Sequence, residues 1–214
     1  RRETELIAVF PLEVVGRDAH LLGDPELSDF GAALVRPTEE LAACIGLIEW
    51  LMEDLTTTLK AWGIPAESIL HSALRRAAHH YGWASEDQSE AVMPIVLLPT
   101  SWEAYLSSLR KKQRHELKRK IRNFEAAGEV ALEVTTSGPK VAMAVEGLLK
   151  MMSASRDDKR AFLTRSTKAF FQDLVPALAD LGLARIYTLS LNGKPASRVL
   201  VFLTDYMTLL YNSG

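Results

Sequence analysis

The sequence has little of what builds redox, metal or covalent chemistry. Its single cysteine, Cys44, excludes an internal disulfide and makes a reducing, cytoplasmic setting the natural expectation. Cys44 stands in "LAACIGLIEWL", where a buried filler is the role to expect. No apolar run reaches the roughly 18 residues that a membrane-spanning helix needs. No CxxC, HExxH, GxSxG, GxxxxGK or GxGxxG spacing occurs, which removes zinc-hydrolase, serine-hydrolase, P-loop and Rossmann readings together. The histidines do not suggest a metal either: His79 and His80 point about 100° apart on a helix, and His71 has Arg75 four residues on.

What is present is a core and one concentrated charge. With 214 residues, 48% of them hydrophobic and 24% charged, the chain can fill one large or two small domains. The stretch "LRKKQRHELKRKIRNFEAAG" holds eight Lys or Arg against one Glu between Arg110 and Arg122, a local +7 that leaves −9 on the rest of a chain whose net charge is −2. Basicity is therefore local, unlike that of a general polyanion binder, and DNA is not an expected partner.

The first half reads as strand formers at 5–15 and 30–35 around the turn-forming "GDPELSD", with Pro11 marking an edge or bulge. Thr38 can cap a helix to about Leu51, with Leu41, Ile45, Ile48 and Met52 as its apolar stripe. A short strand near 55–60, a helix over 67–81 and a strand over 92–99 ("VMPIVLLP") follow. Thr100 and Glu103 then form a capping box for a helical pattern that Gly128 stops. Trp102, Tyr105 or Leu106, Leu109, Gln113, Leu117, Ile121 and Phe124 repeat along it at helical spacing, as a core-facing side. Unbroken, that helix would be about 40 Å long; a break near Ser108 is an equal alternative. The remainder reads as a strand ("EVALEVTT"), a helix from Pro139 to about Met152, a polar loop ("SASRDDKR"), a helix over 166–181, and strands at 183–190, 195–203 and 206–212. "LNGKP" is a hairpin signal, because Asn192 and Gly193 accept positive φ.

Arg110, Arg114, Lys118 and Arg122 recur every four residues as one column. Either it is a solvated face or it attracts a phosphate-bearing ligand. Nucleic-acid readout is less apt, since neither flanking aromatics for stacking nor a helix-turn-helix companion with a free recognition face accompanies it. Membrane binding is unsupported because the opposite side reads as core.

"LIAVFPLEV", "LLGDPELSDFGAALVRP", "LPTSWEAYLSSLRKKQRHELKRKIRNFEAAGEVALEV" and "FFQDLVPALADLGLARIYTLSLNGKPASRVLVFLTDYMTLLYNSG" together resemble a bacterial branch of the GNAT acyltransferases. This branch comprises tandem-unit acetyltransferases of cellulose and exopolysaccharide biosynthesis and is related to the Fem-type aminoacyl transferases. The resemblance covers nearly the whole chain. It implies an α/β (α+β) fold of GNAT-like mixed, mostly antiparallel sheets flanked by helices. Residues 1–98 would be the C-terminal part of a first unit and 99–214 the N-terminal part of a second, in an interior stretch of a longer protein.

The same resemblance implies acetyl-CoA or another acyl-CoA as donor, and an amino or hydroxyl group of a small molecule or glycan precursor as acceptor. The thioester arm would pair with strand backbone at Leu210, Tyr211, Asn212 and Ser213, with a phosphate loop expected after Gly214. Tyr211 is the preferred proton donor to the leaving thiolate, with Tyr187 a second tyrosine of the cleft, while Asp157 and Asp158 could orient the acceptor. In the first unit, Pro37 in "ALVRPTEEL" lacks an N–H and no glycine lets backbone close on a phosphate, so CoA is not expected there. In the Fem-like alternative, the basic column would hold the phosphates of an aminoacyl-tRNA.

Overall fold

The structure, a computed structural model, describes residues 5–31 and 33–214. The chain divides into two compact units, the first running to Val96 and the second spanning Leu97–Gly214.

In the first unit, β1 (Ala8–Val9) pairs antiparallel with β4 (Leu34–Val35). The strand expected over 5–15 is interrupted at Phe10 and Pro11, because proline has no N–H for the ladder; it resumes as β2 (Leu12–Val15). Gly16, at φ 63°, turns β2 into β3 (Asp18–Leu21), with Val15 opposite Asp18 and Leu12 opposite Leu21. Helix α1 (Glu40–Glu53) then carries the chain to β5 (Thr58–Lys60), which lies parallel to β3 with Ala19 opposite Leu59. Helix α2 (Ile69–His80) follows, capped by Ser68, whose hydroxyl accepts from the His71 N–H at 3.2 Å.

The core of this unit joins Ala19, Cys44, Leu47, Ile48, Leu51, Ala73 and Ala77. Each fully buried Leu or Ile there contributes about 2 kcal/mol. The stripe expected on α1 is corrected: Ala43, Cys44, Leu47, Ile48 and Leu51 are buried, while Met52 is exposed. This helix is apolar almost all round, so periodicity alone could not select the buried arc. Thr38 does not cap it either. Its φ is 76°, and Glu39 takes the N-cap position without its side chain capping the helix.

The expected strand over 92–99 does not form. Pro94 and Pro99 remove ladder donors, and Val92 and Leu97 are 89% and 90% exposed.

The second unit opens with α3 (Trp102–Ser108) and α4 (Lys111–Glu125), so the long helix breaks. Leu109 is extended (φ −74°, ψ 145°), and the Arg114 guanidinium turns back to the carbonyls of Leu106 and Ser107 at 3.5 and 3.4 Å. Those carbonyls end α3, where a cation is favoured. The cap is Ser101, accepting from the Ala104 N–H at 3.1 Å, rather than Thr100. A second correction concerns the core-facing side of α4, which has no buried residue.

A four-stranded antiparallel sheet follows in the order β6 (Val130–Thr135), β7 (Ala184–Leu191), β8 (Lys194–Leu203), β9 (Thr208–Ser213). Asn192 and Gly193 turn β7 into β8 at φ 51° and 71°, the left-handed pair that a two-residue hairpin requires. Helices α5 (Pro139–Ser155) and α7 (Arg165–Asp180) pack on the sheet. They bury Val141, Val145, Leu148, Met152, Phe171 and Val175, and the strands contribute Ile186 and Leu200. The polar loop expected at "SASRDDKR" is helical instead. Helix α5 reaches Ser155, Arg156 is extended, and Asp157–Phe162 forms α6. Asp157 and Asp158 occupy the first turn of α6, where carboxylates suit the helix dipole.

Candidate active site

The strand register decides which backbone groups of β9 are free. Arg198 and Gly214 exchange both bonds, Arg198 N–H to Gly214 O at 3.0 Å and Gly214 N–H to Arg198 O at 2.9 Å. In an antiparallel ladder the next residue along turns both of its backbone groups the other way. The N–H and C=O of Ser213 therefore face away from β8. Among the described residues β9 pairs with β8 alone, and its outer side meets no strand among them.

Both outward groups of Ser213 are met by side chains. Its N–H donates to Asn212 Oδ1 at 2.9 Å, and its carbonyl accepts from the Lys159 ammonium of α6. Lys159 follows two aspartates, but their nearest cations are others: Asp158 pairs with Arg156 at 2.5 Å and Asp157 with Arg160 at 3.1 Å. The Arg156 hydrogen bond holds the Asp158 carboxyl below its ordinary range. Nothing in "RDDKR" singles out Lys159 by composition. Only its partner, far along the chain, does so.

A register shift between Leu200 and Val201 makes Asn212 and Leu210 the partners of consecutive residues, with Tyr211 as the extra residue of a bulge. Its ring packs against Phe202 and Phe171, with centroids 5.1 and 5.8 Å away, on the helix-covered face. Leu210, opposite Val201, is 70% exposed. Tyr187 stands between Val134 and Val199 and alternates with buried Ile186, so it lies on the other face of the sheet. The two candidate tyrosines are therefore not brought together. Asp157 and Asp158 belong to α6, the same short helix as Lys159.

One further cation escaped the sequence reading. Arg198 is a lone charge in the apolar strand "ASRVLVFL", the signal that could have revealed it. Its Nε donates to Thr188 Oγ1 at 3.3 Å. Its guanidinium occupies the space over Gly147 of α5, where a Cβ would lie 1.3 Å from a terminal nitrogen.

The basic column is not uniform. Arg110 is the N-cap of α4, and its N–H donates to Gln113 Oε1 at 3.3 Å. Arg114 is spent on the end of α3, while Lys118 and Arg122 are exposed. Glu116 is bound by its neighbour Arg119 at 2.8 and 2.9 Å, which lowers the Glu116 carboxyl below its ordinary range. In the first unit, burial pushes the Cys44 thiol up to about 11, with Glu40 adding to the effect, so it stays a protonated filler at neutral pH. Among the described residues no group of His, Cys, Asp and Glu could hold a metal ion. Nor is any described helix long and apolar enough to cross a membrane.

Comparison with known families now bears on the second unit. The family described as the acetyltransferase (GNAT) domain matches residues 111–214. A GNAT acetyltransferase domain is found here. Its extent runs from the first residue of α4 to the end of the β9 pairing, so it takes in the basic helix, α5 to α7 and the entire four-stranded sheet. GNAT domains carry out acyl transfer and generally use acetyl-CoA as donor. The mixed α/β architecture with antiparallel and mixed sheets agrees with that fold. No curated protein matches the chain.

The residues of β9 suit such a donor in one respect. A pantetheine arm carries amides and can add to a sheet edge as a strand does, and β9 has an outer edge next to its bulge. Of the four positions expected to hold the arm, Ser213 has both backbone groups turned outward by the ladder. The donor, when bound, supplies the activated thioester carbonyl.

Proposed function

We propose that the GNAT domain moves an acyl group from acyl-CoA to an amino or hydroxyl group of a sugar or cell-envelope precursor in the cytoplasm. The observation that carries this reading is the coincidence of the family match with a bulged strand, β9, whose outer side pairs with no other strand among the described residues. The acceptor nitrogen or oxygen attacks the thioester carbon. As C–S breaks and the new C–N or C–O bond forms, the acceptor loses its own proton to solvent, and the departing thiolate takes up a proton in its place. Tyr211 is our candidate for that proton, on the ground of its place in the bulge. Tyr187 and Asp157 are candidates for acceptor contact. Arg110, Arg114, Lys118 and Arg122 serve to draw in a phosphate-bearing ligand, with Arg110, Lys118 and Arg122 exposed.

We further propose that residues 1–98 are the C-terminal part of a first GNAT-like unit and 99–214 the N-terminal part of a second. An antiparallel hairpin, a helix, a strand parallel to the hairpin and a second helix, as in β2, β3, α1, β5 and α2, are the order such a C-terminal part would have. In that unit β3 and β5 are zipped through three residue pairs. We therefore assign the donor to the second unit alone. Calorimetric titration of the full chain with acetyl-CoA tests the assignment. Saturable binding with one site is expected, and no heat at millimolar ligand removes the donor.

A further inference from the structure

We infer that Lys159 is a releasable latch on the donor edge of the GNAT domain. It occupies the backbone position that an acyl donor must use, so donor binding and release of α6 are one event. The inference deepens the acyl-CoA reading and rests on it.

The register supplies the first part of the argument. With Arg198 and Gly214 exchanging both bonds, the carbonyl of Ser213 points outward from β9, and a strand-like ligand would donate an amide to it. That acceptor is already satisfied by the Lys159 ammonium. Asn212 Oδ1, at 2.9 Å, satisfies the adjacent donor, the Ser213 N–H. An arm that adds to β9 at this point must displace both side chains.

Chemistry at the other end of the latch supplies the second part. The aspartates of α6 are committed to Arg156 and Arg160, so Lys159 holds a neutral carbonyl in place of a carboxylate. A hydrogen bond from an ammonium to a carbonyl is stronger than a neutral one but can be exchanged for water, because a released ammonium is well hydrated. The extended backbone at Arg156 breaks the path from α5 to α6. The six residues Asp157–Phe162 can therefore shift without unwinding the long helix once the bond from Arg160 Nε to the Ser153 carbonyl, 3.1 Å long, is also given up. Asp157 moves with Lys159, so loading the donor would reposition a candidate acceptor contact and favour binding of donor before acceptor.

Acetyl-CoA titrations of the wild type, Lys159→Met and Lys159→Arg test the latch. Methionine keeps a similar stem but cannot donate, so Lys159→Met should bind about tenfold more tightly, the worth of one charge-assisted bond that no longer has to be broken. Lys159→Arg should retain wild-type affinity. Hydrogen exchange gives a second readout needing no variant: saturating acetyl-CoA should speed exchange across Asp157–Phe162 in the wild type. Unchanged or weaker affinity in a folded Lys159→Met, or unchanged exchange in α6 at saturation, overturns the latch while leaving the donor reading intact. No binding by any of the three proteins removes the donor reading and the latch together.

Discussion

Helices α5 and α4 belong to the same unit and are of similar length, 17 and 15 residues, yet one buries six side chains and the other none. Both carry apolar residues at helical spacing. In α5 the positions Val141, Ala144, Val145, Leu148, Leu149 and Met152 are matched by a sheet face presenting Ile186 and Leu200. In α4 the stripe of Leu117, Ile121 and Phe124 is interleaved with so many cations that water remains a good solvent for the whole helix. The difference teaches that a 3.6-residue period reports what a helix could bury, and that an opposing surface decides whether it does.

The comparison can be broken most directly at Leu148. Leu148→Ala should cost about 2–5 kcal/mol, as a cavity in a closed core does, measured by urea unfolding. An effect below 1 kcal/mol would mean that α5 is no better packed than α4. A smaller loss is expected from Gly147→Ala on the same helix, about 1–3 kcal/mol, because the new methyl group evicts the Arg198 guanidinium. Pairing it with Arg198→Ala should recover most of that loss, and a purely additive double variant would deny the contact. Smallest of all, Leu117→Ala on α4 should change stability by less than about 1 kcal/mol. A loss equal to that of Leu148→Ala would reveal a buried stripe.

How much could be read from the sequence varied in the same way. The closing meander was legible almost to the residue, because Asn192–Gly193 fixes a two-residue turn and the flanking strands are long. Strand β3 was not, since "DAHL" has little strand propensity and is held by partners on β2 and β5. The segment 92–99 erred in the opposite direction: strong strand formers with two prolines and no strand partner among the described residues. The helix break near Ser108 was an open alternative, and what accompanies it, the return of Arg114 to the end of α3, is a matter of side-chain direction.

At the site, the positions of Leu210 to Ser213 on one strand were legible, but their facing was not. A single bulge changes the parity of alternation, which puts Tyr211 among phenylalanines and separates it from Tyr187. Lys159 lay hidden inside a charged stretch because what distinguishes it is the carbonyl it meets, and sequence proximity says nothing of that contact.

At the foot of α4, Gly128 lies against the tip of the β7–β8 turn so closely that a Cβ there would sit 2.2 Å from Asn192 Oδ1, the same oxygen that accepts from the Glu129 N–H. Positions 128 and 192 thus form a mechanical joint between the basic helix and the hairpin. Neither can be redesigned alone, and lengthening the turn would unhinge the helix from the sheet without touching a single residue of either core.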